Sequence, residues 1–166
     1  GVPMTLHAGE AAGPDSMKTA LSFGTKRIGH GVAAINDPEL IKRLIDENVT
    51  LEVCVTSNYH TKVVPAIRMH PIHKLLEAGV HVTVNSDNRT CSRTTLQKEK
   101  EVLKEEFGFT DEEIEKMQEY AWEARFFKIT GYRSEKHITI RHQRIIRRKR
   151  VNVRGQSIAS FFHAAE

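Results

Sequence analysis

This chain is short of several things. In 166 residues it has only two cysteines, Cys54 and Cys91. Two thiols that far apart in sequence make no disulfide framework, so a reducing, cytoplasmic location is the default expectation. No apolar run is long enough to span a bilayer. The opening "GVPMTLHAGE" has no basic segment ahead of an apolar one, so no secretory signal is expected there. Neither H-x-H nor C-x-x-C occurs anywhere, which removes the two most compact metal-ligand signatures. Internal repeats and low-complexity linkers are also missing. What remains is the composition of an ordinary globular chain, long enough for one domain with a true core.

Charge is unevenly spread. Residues 132–166 hold nine Lys/Arg against two acids, whereas residues 1–131 hold 16 basic and 19 acidic groups. A mildly acidic body therefore precedes a strongly basic tail. Any argument for nucleic-acid binding concerns the tail alone.

Four short β-like runs punctuate the body: Met4–Ala8, Arg27–His30, Thr50–Val55 and Val80–Asn85. Helix signals lie between them. Pro14-Asp15-Ser16 opens one helix, which runs to about Phe23 with Gly24 as its stop. Asp37-Pro38 opens the next, as N-cap and first helical residue, and Leu40, Ile41, Leu44 and Ile45 repeat at helical spacing. A third spans 71–78 and stops at Gly79. Two more are predicted over 94–107 and 111–128, the second opened by a Thr110/Glu113 capping box. Strands alternating with helices predict an α/β fold with a buried parallel sheet.

The polar residues follow that plan. His7 and Glu10 come after the first run, His30 after the second, Thr56-Ser57-Asn58 after the third and Ser86-Asp87-Asn88 after the fourth. In parallel α/β folds the C-terminal strand ends converge on one face, where sites are built. His and Asp suit a borderline divalent metal such as zinc, whose bound water becomes a nucleophile near neutral pH. His7 and Asp87 as ligands, His30 as base and Glu10 as general acid form a coherent hydrolytic set. Two protein ligands are fewer than a catalytic zinc uses.

"LHAGE", "RIGHG", "LEVCVTSN", "HPIHKLLEAG" and "VTVNSDN", in this order and spacing, resemble the adenosine deaminase family of bacterial type, over roughly residues 3–128. The resemblance implies a TIM-type (β/α)8 barrel of the metal-dependent hydrolase superfamily. By strand count this chain looks like the last four βα units plus the closing helices. The activity implied is zinc-dependent hydrolysis of adenosine, and usually deoxyadenosine, to inosine and ammonia in purine salvage; adenine deaminase is the nearest alternative. By the same resemblance His7 and Asp87 are zinc ligands and Glu10 protonates purine N1. His30 activates the metal-bound water, which Asp87 also contacts. Gly9 brings backbone close to the purine. Asn88 stands where the family often has Asp facing purine N7, and an amide donates to that acceptor directly. Val55 stands where most members have Pro. The family's H-x-H ligand pair has no counterpart.

The organisation expected is thus a catalytic half-barrel over 1–131 and a basic tail over 132–166. With a purine nucleoside as substrate, no membrane partner is expected. "RRKR" in the tail is either a phosphate-binding element or a non-homologous run-on, so the rival reading is an inactive fragment that binds nucleic acid or a partner through it. Elsewhere, Cys54 reads as a buried apolar residue, and Trp122 and Phe126 as an i,i+4 pair in the closing helix. His70 and His73 read as surface or capping residues remote from the strand ends. Ser57 and Asn58 are left open between the site and loop capping.

Overall fold

The computed structural model describes residues 2–127. The basic tail, 132–166, lies outside the described residues. All elements below belong to the unit Gly1–Phe126.

Four parallel strands make one sheet in the order β1 (Leu6–Ala8), β2 (Arg27–His30), β3 (Thr50–Val53) and β4 (His81–Val84). All four expected strands exist, and three are shorter than expected. β3 ends at Val53 because Val55 begins a helix; Asn85 still donates its backbone N–H to Val53 at 2.8 Å. Register sorts the side chains by face, since successive residues alternate. Leu6, Ile28, Leu51 and Val82 align as one apolar row, the last three fully buried. His7, Gly29, Glu52 and Thr83 align as a row on the opposite face. On that face Glu52 accepts from Thr5 Oγ1 at 2.7 Å and from Arg27 Nε at 3.0 Å.

The helices are α1 (Pro14–Ser22), α2 (Pro38–Asp46), α3 (Val55–His60), α4 (Ile72–Glu77), α5 (Arg89–Ser92), α6 (Leu96–Phe107) and α7 (Asp111–Glu123), with 3₁₀ turns at Val32–Asn36 and Ile67–Met69. Their local signals act as read. Asp37 accepts from Leu40 N–H ahead of Pro38, and Thr110 and Glu113 form both halves of the capping box. Gly24 and Gly79 take the left-handed conformation that stops a helix without a Cβ penalty. Leu40 and Leu44 of α2, Ile72 and Leu75 of α4 and Met17 of α1 pack into a core with the strands.

The closing helix needs correction. α7 ends at Glu123, five residues before the expected end, and Phe126 lies beyond it. Trp122 and Phe126 therefore do not pair at helical spacing. Arg27 stacks over the Phe126 ring at 4.1 Å, and Arg125 lies over Trp122 at 4.3 Å while donating to the Trp122 carbonyl. These cation–π contacts and the capped carbonyl replace the next helical turn. Among the described residues, no helix is long and apolar enough to cross a membrane.

Candidate active site

The sequence-predicted residues sit at the C-terminal strand ends, and backbone bonds draw the first two ends together. Gly31 N–H donates to Ala8 at 3.0 Å and Ala33 N–H to Gly9 at 2.9 Å. Gly9 and Gly31 both have φ 68. A Cβ on Gly9 would lie 2.5 Å from Met17 Sδ, and one on Gly31 would lie 2.7 Å from Leu51 Cδ2. Both glycines are thus required by backbone conformation and by close packing.

His30 and Asp87 are not glycines, yet they have φ 63 and φ 50. Such conformations cost of order 1–3 kcal/mol each and cluster where function demands them. At His30 the departure from strand geometry redirects the ring. Its Nε2 lies 3.3 Å from Glu10 Oε2, and its centroid lies 5.2 Å from that of His7. The His30 side chain is 3 % exposed and that of Glu10 25 %, so this pair closes the floor of the site and still opens to solvent on one side. His7 and Asp87 are exposed.

α3 joins the groups together. Ser57 Oγ donates to Asp87 Oδ2 at 2.6 Å. Asn58 Nδ2 lies 3.1 Å from His30 Nδ1 and 3.4 Å from Glu10 Oε1, which also accepts from Thr61 Oγ1 at 3.3 Å. Ser57 and Asn58 thus bond to candidate site residues and do more than cap the loop. Val55 stands at the first position of α3, which tolerates proline and valine alike because its N–H has no intrahelical partner. The helix is anchored from α6. The buried Glu99 carboxylate accepts from Thr56 N–H at 3.2 Å and from Thr94 Oγ1 at 2.7 Å.

His70 corrects its sequence reading. It is buried, and its Nε2 bonds Asn58 Oδ1 at 3.2 Å, so it reaches the strand ends through one intervening side chain. Its Nδ1 accepts from Ile72 N–H at 3.1 Å, which is the capping half of that reading. The 3₁₀ turn Ile67–Met69 carries the residue inward, a placement that sequence spacing does not encode. His73 is half-exposed beside Glu113 and Phe109, as expected. Cys54 is buried, and burial pushes its thiol up to about 12, which makes it inert as a nucleophile.

Asn88 caps α5. Its Oδ1 accepts from Thr90 N–H at 3.1 Å and Cys91 N–H at 2.9 Å, leaving the NH2 as the half that can donate. His7 and Asp87 have side chains of a type that can ligate a metal, but the described residues include no group of three His, Cys, Asp or Glu able to hold a metal ion. A catalytic zinc takes at least three, so the described residues alone do not complete such a site.

Known proteins share this fold and much of this sequence. Among solved structures, adenine deaminase from Arthrobacter aurescens superposes with a TM-score of 0.75 at 24% identity, over 89% of this chain and 44% of that one. The N6-methyl-AMP deaminase from Arabidopsis thaliana superposes with a TM-score of 0.67 at 26% identity, over 85% and 40%. The fold is thus the partial TIM-type barrel expected. An adenosine deaminase from Haemophilus ducreyi is 44% identical over 117 residues, covering 70% of this chain and 34% of that protein. An adenine deaminase from Rhizobium meliloti is 46% identical over 127 residues, covering 76% and 39%. The chain spans well under half the length of these relatives. The family profile described as Adenosine deaminase matches residues 1–134, and with that match the chain belongs to the adenosine deaminase family.

Proposed function

We propose that this chain carries one half of a site that hydrolyses the 6-amino group of a purine, with adenosine and deoxyadenosine as substrates and inosine-type products plus ammonia. The supporting observation is the Glu10–His30 pair at 3.3 Å, held by Asn58 at the convergent strand ends of a deaminase-family chain. A carboxyl group beside purine N1 protonates that nitrogen and makes C6 electrophilic. A water oxygen adds to C6, and ammonia leaves. Glu10 takes the acid role. His30 orients the attacking oxygen. Gly9 lets backbone approach the ring, and the Asn88 NH2 donates to N7.

His7 and Asp87 supply two donors to a divalent metal, with zinc as the expected ion. Its remaining ligands would come from outside the described residues. Adenine is the rival substrate, because the two relatives with opposite names are about equally similar to this chain. Cytoplasmic purine salvage is the setting this chemistry fits.

The test is direct. The full chain, mixed with the N-terminal half of an adenosine deaminase-family relative to supply the other half of the site and with zinc, is incubated with adenosine and separately with adenine, and inosine and hypoxanthine are measured beside bound zinc. Inosine lost in Glu10→Gln supports the reading. Hypoxanthine from adenine alone transfers it to the base. No product from either substrate overturns it for this chain.

A further inference from the structure

Four groups in a row carry a hydrogen-bond polarity that can be read from one end. A backbone N–H only donates. Ile72 N–H donates to His70 Nδ1 at 3.1 Å, so that nitrogen holds a lone pair. Burial pushes His70 down to about 4, so near neutral pH the ring is uncharged and its single proton is on Nε2. Nε2 lies 3.2 Å from Asn58 Oδ1 and donates to it. That bond fixes which end of the amide is oxygen. In its carboxylate form Glu10 fixes it a second time, because Oε1 then only accepts and lies 3.4 Å from Asn58 Nδ2. A flipped amide would set oxygen against oxygen on one side and N–H against N–H on the other. The Asn58 NH2 therefore donates to His30 Nδ1 at 3.1 Å. Asn58, His30 and His70 are all at most 4% exposed, so bulk water does not compete.

We propose that Asn58 and His70 are positioning residues that hold His30 in the tautomer with its proton on Nε2. The histidine then meets the site as an N–H donor, with Glu10 Oε2 as its acceptor in the resting state. On the deaminase reading His30 would then orient an oxygen by donating to it. Only this last consequence rests on the deaminase reading. The tautomer itself does not.

The test is a long-range ¹⁵N–¹H spectrum of the histidine rings in the full chain at neutral pH, without substrate or metal. Wild type is expected to show His30 with a bare Nδ1 and a protonated Nε2, and His70 the same. A protonated Nδ1 on wild-type His30 would overturn the proposal. Asn58→Asp keeps the shape but accepts on both sides, so it should place a proton on His30 Nδ1; an unchanged His30 pattern there overturns the role of Asn58. His70→Phe removes the donor to Asn58 and should give intermediate His30 ring shifts, whereas His70→Gln keeps a side-chain N–H and should restore the wild-type pattern. Identical His30 patterns in these two variants overturn the role of His70, whether or not the Asn58 variant folds. This tautomer with no deaminase activity in the complemented assay sinks the functional reading alone; the reverse result sinks this one alone.

Discussion

His7 pairs across the parallel sheet with Gly29, and its imidazole fills the space that a side chain at Gly29 would take. A Cβ there would lie 2.8 Å from His7 Cδ2. The motif "RIGHG" thus uses its first glycine to seat a neighbour's ring, and its second for a left-handed turn.

Gly29→Ala should therefore move His7 and little else. The clashing atoms belong to an exposed ring that can rotate, and the φ of this glycine lies outside the left-handed region. The expected loss of stability is under about 1 kcal/mol, within the range of mild substitutions. Ring resonances of His7 should shift while those of the core methyls stay. Large shifts at Leu51 or Val82 would show that the sheet had moved instead.

Ser57→Ala frees the Asp87 carboxylate from its 2.6 Å bond. Asp87 already holds φ 50, so the hydroxyl is part of what keeps that conformation populated. Removing one such hydrogen bond costs roughly 0.5–1.5 kcal/mol. Hydrogen exchange at residues 86–88 should accelerate by about tenfold or less, with α1 unaffected. Unchanged exchange at those residues would show that Ser57 does not restrain Asp87.

Glu99→Ala should be the most costly of these variants. It leaves the Thr56 N–H and the Thr94 hydroxyl without their acceptor in a buried setting. Each orphaned group costs roughly 1–3 kcal/mol. Glu99→Gln keeps one acceptor oxygen and the same length, and should recover much of the loss. Urea midpoints compare the three proteins. Equal midpoints for Ala and Gln would show that neither the restored side-chain volume nor a single acceptor oxygen is what Glu99 supplies.

His70 should make stability depend on pH. Its native value, about 4, lies below the ordinary 6.5 because burial disfavours the charged ring. The unfolded chain thus binds this proton more readily, and stability rises with pH across that window. The contribution is nearly constant above pH 7 and is lost as pH falls from about 6.5 toward 4. Between pH 7 and pH 5 the loss is roughly 2 kcal/mol from this one group. The same urea experiment on His70→Phe should show a shallower slope over that interval; an equal slope would assign the dependence to other groups.

Much of this protein is legible along the chain. Caps and stops are local chemistry: Asp37-Pro38, Thr110 with Glu113, and glycines 24 and 79 each act within a few residues, so their sequence reading holds in the fold. The four strands and their parallel order follow from apolar runs spaced by helical segments. The placing of His7, Glu10, His30 and Asp87 at strand ends follows from the same periodicity. What connects those residues is not local. Ser57 reaches Asp87 across 30 residues, Asn58 reaches Glu10 across 48, and Glu99 supports Thr56 across 43. No spacing rule encodes such pairs, because they form only when α3 and α6 pack beside the sheet. Phe126 escaped its helical reading for the same reason, since an arginine on β2 holds it. The sequence by itself determined which chemical groups stand at the strand ends. Only the tertiary structure decided which way their hydrogen bonds run, because that direction passes from Ile72 through two buried side chains to His30.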